Sequence, residues 1–230
     1  MKKEKKVYVA FSADILHEGH INILKHAAKF GKVIVGLLSD QAIASYRQLP
    51  HLNYRQREIV LKNIKFVDSV IIQKTLDYSE NLKLIKPDFV IHGDDWKIGI
   101  QKATRKKVIN SLKKWSGKLI EIPYTKNISS SSLQESLFQN GLINVNRQNY
   151  FRRLLQTKEL CRILETHSPL SALIAEKIFI KKKTGEKKEF DGFWSSSLTD
   201  STLKGKPDIE VLDIRERLKN INDIFDVTTK

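Results

Sequence analysis

The sequence predicts an α/β fold whose first part is a parallel sheet. Short β-branched and aromatic runs alternate with helix-like segments over the first 140 residues, and this alternation is typical of parallel strands joined by crossover helices. The predicted strands are 7–12, 33–38, 67–73, 89–92 and 118–122. The predicted helices are 21–30, 54–64 and 101–115, and Gly31 is expected to cap the first of them.

A polar stretch after Asn140-Gly141 marks the predicted boundary between two domains, 1–140 and 141–230. The second domain has fewer elements, namely predicted helices at 150–156, 170–177 and 214–225, strands at 161–166 and 190–195, and a basic hairpin at 181–188. Two β/α units are too few to close a barrel of about 250 residues. We therefore expect an incomplete (β/α) barrel segment, which we interpret as a truncated fragment.

Composition excludes several classes of protein. The chain has 230 residues, 40% of them hydrophobic, so it can bury a core, and no apolar run approaches the length of about 20 residues that spans a bilayer. The net charge of +15 indicates an anionic partner or a solubilising surface. Basic residues are spread along helical segments with few aromatics between them, which argues against nucleic-acid binding. Cys161 is the single cysteine, so no internal disulfide can form, and without a long apolar leader we expect a cytoplasmic protein.

The motif His17-Glu18-Gly19-His20 follows the first predicted strand and opens the first predicted helix. Two imidazoles three residues apart lie on one face of a helix, beside backbone N–H groups that attract anions. Gly19 would let a ligand approach the backbone closely. The pattern predicts a phosphate-binding site, although two unrelated histidines at a strand end would give the same four letters.

In context, FSADILHEGH resembles the phosphate motif of the cytidylyltransferase family, which has a Rossmann-like parallel sheet. The resemblance covers about residues 5–137. It places Ser12 at the family's hydroxyl position, Asp14 at its aspartate, and His17 and His20 at its paired histidines. Phe11 stands where the family has glycine.

Four further motifs occur in the family's order. VGLLSD resembles its second strand, NYRQREIVLKNIKFVD its following helix, GDDW a short nucleotide-site motif, and ISSSSL its Ile-Ser-Thr segment. Singly, GDDW could be a surface turn and ISSSS an ordinary helix cap. The resemblance implies nucleotide-binding roles for Gly19, Arg57, Gly93, Asp94, Ser129 and Ser130, an acceptor-binding role for Asp40, and a catalytic role for Arg47 on the leaving pyrophosphate. Tyr46, Gln48 and Tyr124 replace basic residues of the family.

The second half resembles the start of phosphoenolpyruvate mutase, of the isocitrate lyase superfamily, over about residues 150–230. RILETHSPLSALIAEK and FDGFWSSSLTDSTLKGKPD carry this resemblance. It places Trp194, Ser196, Ser197 and Leu198 at positions where that family holds its substrate, and Asp208 at an aspartate of the family's active site. Because only two barrel units are present, we expect no mutase activity.

The two resemblances together imply an enzyme that transfers CMP from CTP to a small phosphonate, such as 2-hydroxyethylphosphonate or 2-aminoethylphosphonate. Mg²⁺ is expected as a companion of CTP, with no protein metal site, and a homo-oligomer is expected. Three alternatives stay open: an adenylyltransferase, a cytidylyltransferase acting on a phosphate-bearing alcohol, and a basic binding module without catalysis.

Overall fold

A computed structural model describes residues 4–46, 48–97, 101–123, 125, 133, 147–182 and 187–228. These residues fall into two compact units, one within 1–139 and the other within 140–230. Within those ranges, no helix combines the length and the apolar character that a membrane span requires.

The first unit contains a five-stranded parallel sheet, as the sequence predicted. Its strands are β1 (Lys6–Phe11), β2 (Lys32–Leu38), β3 (Ser69–Gln73), β4 (Phe89–Gly93) and β5 (Lys118–Ile122). They lie in the order β3-β2-β1-β4-β5, and each neighbouring pair is parallel. The prediction of an α/β fold with a Rossmann-like sheet is confirmed.

Helices connect the strands. They are α1 (Glu18–Ala27), α2 (Asp40–Ala44), α3 (Tyr54–Lys62), α4 (Ser79–Ile85) and α5 (Lys102–Leu112), with a 3₁₀ turn at Asp94–Lys97. The sequence predicted α1, α3 and α5 but not α2 or α4. Those two helices have 5 and 7 residues, which is too short for a helical period to show in the sequence.

The predicted helix cap at Gly31 is wrong. Helix α1 ends at Ala27, and Gly31 has a φ of 152°. A Cβ at this position would lie 2.1 Å from the carbonyl oxygen of Lys5. The glycine is therefore needed where the chain passes the start of β1, because any side chain would collide with that backbone.

Both faces of the sheet are buried, as expected for a parallel sheet covered by helices on each side. Alternation along β1 sends Val7, Val9 and Phe11 to one core cluster and Tyr8 and Ala10 to the other. The first cluster also contains residues of α1 and α3, and the second contains residues of α4 and α5. This packing fixes the carboxyl ends of the strands, where the sequence motifs lie.

The second unit is built around a short parallel pair. Strands β6 (Ile163–Glu165) and β9 (Gly192–Trp194) pair in parallel, and β7 (Phe179–Lys181) and β8 (Lys187–Glu189) form the predicted basic hairpin between them. The helices are α6 (Arg147–Thr157), α7 (Pro169–Lys177), α8 (Ser197–Thr202) and α9 (Ile214–Val227), and α9 packs against α7. The six-residue α8 was not predicted.

Candidate active site

The strand order of the first unit reverses between β1 and β4. After β1 the chain adds β2 and β3 on one side of it, and then β4 and β5 on the other. In open α/β sheets, ligands bind in the crevice outside the carboxyl ends of the strands at such a switch point. The HEGH motif follows β1 and the GDDW motif follows β4. The topology therefore brings two separate sequence motifs to the edge where a ligand would bind.

His17 caps the helix that it precedes. Its backbone is extended, with φ −144° and ψ 175°, and its Nδ1 accepts a hydrogen bond from the Gly19 backbone N–H at 3.1 Å. The His17 carbonyl oxygen accepts from the N–H of His20 at 3.0 Å. Two N–H groups of the first helical turn thus have hydrogen-bond partners within the motif. The sequence suggested that such N–H groups would attract an anion, but the Gly19 N–H already donates to His17.

This cap fixes the tautomer of His17. Because Nδ1 is the acceptor, the proton of the neutral ring is assigned to Nε2. Burial lowers the pKa of His17 below its usual value, so the neutral form dominates at neutral pH. His17 can therefore offer one N–H donor, from Nε2, without carrying a positive charge.

His20 lies against both His17 and Phe11. The ring centroids of the two histidines are 4.1 Å apart. Phe11 contacts His20 edge-on, with centroids 5.1 Å apart and an interplanar angle of 73°. The phenylalanine that replaces the family's glycine is therefore part of the wall that orients His20.

Gly19 is required by the neighbouring imidazole. A Cβ here would lie 2.9 Å from Cε1 and 3.0 Å from Nδ1 of His17, and 3.6 Å from Cβ of Thr125. Glycine is therefore required at this position by the His17 ring, whether or not a ligand approaches the backbone here. The predicted contact of Gly19 with a nucleotide stays a prediction. Thr125 also contacts α1, since Asn22 Nδ2 donates to its Oγ1 at 3.4 Å. Thr125, three residues before the ISSSSL segment in the sequence, therefore lies beside the HEGH motif.

A buried guanidinium joins four parts of the site. Arg57 on α3 is fully buried, and it donates from Nε to Leu52 O at 3.1 Å, from Nη1 to Ser12 O at 2.5 Å and from Nη2 to Asp40 Oδ1 at 2.6 Å. Asp14, also buried, accepts from the N–H of Leu52 at 3.0 Å. The turn after β1, the start of α2 and the loop before α3 are held together in this way.

This network gives Arg57 a structural part in the site. Its guanidinium is buried and donates to three protein oxygens, and its predicted contact with the triphosphate stays a prediction. Through these hydrogen bonds Arg57 positions the segments around the site. Asp40 forms an ion pair with it and keeps 18% of its side chain exposed, so its acceptor-binding role stays a prediction, as do the nucleotide contacts of Ser12 and Asp14.

The GDDW motif is not an ordinary surface turn. Gly93 ends β4, Asp94 begins the 3₁₀ turn, and Trp96 is only 1% exposed. The Trp96 indole stacks on His92, with ring centroids 3.8 Å apart and planes within 1°. Sequence reasoning missed His92, although it directly precedes the motif in a predicted strand.

Three predicted site residues, Arg47, Ser129 and Ser130, lie outside the described residues, as does Tyr124.

In the second unit, Trp194 ends β9 and is 63% exposed, Ser196 precedes α8, and Ser197 and Leu198 begin it. Asp208 lies in an exposed turn. Trp194 to Leu198 thus occupy the carboxyl end of a strand, where barrel enzymes place their active sites.

Comparison with known proteins identifies the first unit. Residues 12–136, more than half of the chain, match the protein family described as Cytidylyltransferase-like. The chain belongs to the cytidylyltransferase-like family. Residues 151–230 match the family described as Phosphoenolpyruvate phosphomutase. Both resemblances found in the sequence are confirmed.

Three curated relatives of this cytidylyltransferase-like chain are similar to it over parts of their lengths. The ethanolamine-phosphate cytidylyltransferase of Dictyostelium discoideum is 33% identical over 134 residues, covering 57% of this chain and 36% of the relative. The FAD synthase of Methanopyrus kandleri is 31% identical, covering 44% and 70%. The glycerol-3-phosphate cytidylyltransferase of Bacillus subtilis is 25% identical, covering 58% and 97%.

This chain spans only about a third of the first of these relatives. Among solved structures, a lipopolysaccharide core biosynthesis protein from Thermoplasma volcanium is similar at 24% identity and a TM-score of 0.47, covering 54% of this chain and 100% of that one. Relatives named as cytidylyltransferases support the prediction that this family member is an enzyme of the nucleotidyltransferase class.

Proposed function

We propose that the first unit transfers CMP from CTP to a small phosphonate and releases pyrophosphate. The observation that carries this proposal is the HEGH histidine pair at the switch point of the sheet, with the GDDW turn at the carboxyl end of the adjoining strand β4. Membership of the cytidylyltransferase-like family supports it.

The reaction is an in-line displacement at the α-phosphorus of CTP. An acceptor oxygen forms the new P–O bond as the bond to pyrophosphate breaks, and the pyrophosphate carries away the bonding electron pair. A phosphonate oxygen is already ionised near neutral pH, so no general base is needed. In this proposal the neutral His17 ring and the adjacent His20 ring donate N–H hydrogen bonds to the phosphoryl oxygens, where negative charge develops.

Mg²⁺ is the expected companion of the triphosphate, since it binds phosphate oxygens and would neutralise part of their charge. The described part of the chain contains no group of three His, Cys, Asp or Glu side chains arranged to hold a metal. Arg57 contributes by holding the turn after β1 and the start of α2 in place through its hydrogen bonds to Ser12 and Asp40.

The phosphonate acceptor is inferred from the second unit. That unit matches the Phosphoenolpyruvate phosphomutase family, and the resemblance to this family implies chemistry in which a carbon–phosphorus bond is made. An enzyme that activates a phosphonate as its CMP conjugate would act later in the same sequence of reactions. A small phosphonate such as 2-aminoethylphosphonate or 2-hydroxyethylphosphonate is therefore the proposed acceptor.

One specific observation favours a second candidate, an adenylyltransferase. FAD synthase from Methanopyrus kandleri is 31% identical, and 70% of its length is covered; the FAD that it is named for contains an adenine nucleotide. The names of the ethanolamine-phosphate and glycerol-3-phosphate cytidylyltransferases favour a phosphate-bearing alcohol as an alternative acceptor.

A two-by-two assay separates these candidates. The protein is incubated with Mg²⁺, with CTP or ATP, and with a phosphonate or a phosphate ester, while pyrophosphate release is measured and products are identified by ³¹P NMR. We expect turnover with CTP and a phosphonate. Turnover only with ATP would support the adenylyltransferase, preference for a phosphate ester would change the acceptor class, and silence in every combination would support the binding module.

A further inference from the structure

One carboxylate on β5 contacts the turn after β4. Trp96 Nε1 donates to Glu121 Oε1 at 2.8 Å, and Lys97 Nζ lies 3.7 Å from Glu121 Oε2. The strand register places Glu121 opposite His92, two residues before that turn begins. Glu121 therefore links the neighbouring strand to two of the four residues of the Asp94–Lys97 turn.

Glu121 is itself held rigidly by α5. Arg105 donates from Nε to Oε1 at 2.8 Å and from Nη2 to Oε2 at 3.0 Å. Such two-point pairs fix orientation as well as charge. The hydrogen bonds from Arg105, together with that from Trp96, lower the pKa of Glu121 to about 2, so this carboxylate stays ionised at any working pH.

The opposite side of the turn rests on the core. Trp96 stacks flat on His92 and lies 6.2 Å, between ring centroids, from Tyr78. Its ring therefore has a packing surface that fixes its plane and a hydrogen bond to Glu121 that fixes its rotation within that plane. Gly93 and Asp94 lie three and two residues before this anchored indole in the chain.

We propose that Glu121 is a positioning residue of the nucleotide site, and that it holds the Asp94–Lys97 turn so that Gly93 and Asp94 meet the nucleotide. This inference rests on the proposed function and deepens it. Glu121 contacts the turn and α5. The residues proposed to act on the phosphoryl group, His17 and His20, lie after β1. Loss of Glu121 should therefore weaken nucleotide binding and leave the chemical step almost unchanged.

Three substitutions resolve this role. Glu121→Ala removes every contact with the turn. Glu121→Gln removes the charge but keeps an oxygen that can accept from Trp96 Nε1. Trp96→Phe keeps an aromatic ring for stacking on His92 and removes the N–H donor.

Asp77→Asn is the matched control. Burial raises the pKa of Asp77, but hydrogen bonds from Lys107 and Ser79 outweigh that effect and lower it to about 2. Its carboxylate pairs with Lys107 of α5 at 2.7 Å, as Glu121 pairs with Arg105 of the same helix. Asparagine keeps an oxygen that can accept from the Ser79 N–H, which donates to Asp77 Oδ1. The control thus removes a similar ion pair on α5 without touching the turn.

The experiment measures KM for the nucleotide and kcat separately at saturating acceptor. It also follows the Trp96 indole N–H signal by NMR, identified by its loss in Trp96→Phe. We expect Glu121→Ala to raise KM about tenfold with kcat within about twofold, and Glu121→Gln to fall between it and the wild type. Asp77→Asn should match the wild type. The indole signal should shift in Glu121→Ala and stay in place in the control.

An unchanged KM in Glu121→Ala, or an equal rise of KM in Asp77→Asn, would overturn the role proposed for Glu121. If the wild type turns over in the same experiment, the proposed function is not affected by that result. Absence of both nucleotide binding and turnover in the wild type would overturn both. If Glu121→Ala does not fold by circular dichroism, Glu121→Gln and Trp96→Phe decide the matter: wild-type KM values in both would overturn the proposal, and raised KM with preserved kcat would support it.

Discussion

The Nδ1 atom of His17 accepts a hydrogen bond from the backbone N–H of Gly19, at 3.1 Å. This short-range contact decides three properties of the site. It starts helix α1, it directs the remaining proton of His17 to Nε2, and it packs the imidazole against the one residue type that leaves room for it.

Gly19→Ala should displace the His17 ring. The added Cβ would lie 2.9 Å from His17 Cε1, which is closer than van der Waals contact allows, so the imidazole must move. Misplacement of a catalytic group by about 1 Å can cost about 10² in rate, and we expect a loss of that order in kcat. Gly192→Ala is the control, because its Cβ would make only an ordinary 3.5 Å contact with Ile163; equal activities of the two variants would contradict this account of Gly19.

The pH dependence of His17 follows from the direction of its pKa shift. Burial lowers its folded-state pKa, whereas in the unfolded chain it stays near the ordinary value of about 6.5. The unfolded state therefore takes up the proton first, and the stabilisation by neutral His17 is present above about pH 6.5 and lost as the pH falls through the folded pKa. An NMR titration of the His17 ring, assigned with His17→Gln, should give a midpoint below 6.5. A midpoint above it would show that the ring is not held as a neutral acceptor.

Arg57→Met should act first on folding. It removes a buried cation and leaves Asp40 without the ion pair and the Ser12 and Leu52 carbonyls without their described donors. Breaking a buried pair costs about 3 to 5 kcal/mol, measurable by urea unfolding. Lys62→Met is the control, since the exposed Lys62–Glu58 pair should contribute about 1 kcal/mol or less. A normal unfolding free energy with a large rise in KM for CTP would instead support the original prediction that Arg57 binds the triphosphate.

The sequence predicted the parallel sheet because each strand is a short β-branched run. A buried strand such as 33–38 can be recognised from the residues within it, without knowledge of distant contacts. The sequence also predicted that the motifs after β1 and β4 belong to one site. It could not predict that Arg57 is buried, because the partners of its guanidinium come from residues up to 45 positions away. The pairing of Trp96 with Glu121 likewise depends on the register of β4 and β5, which no local pattern contains.

The HEGH pair is proposed to catalyse the transfer of CMP. The most direct test of this proposal is pyrophosphate release from CTP and Mg²⁺ with 2-aminoethylphosphonate or 2-hydroxyethylphosphonate, comparing the wild type with a folded His20→Ala variant. We predict turnover in the wild type and a loss of about 10² or more in kcat for the variant, because one preorganised donor to the transferring phosphoryl group is removed. Near-equal rates for the two proteins would show that His20 does not act in catalysis, and a wild type that is inactive with CTP and both phosphonates would overturn the proposed activity.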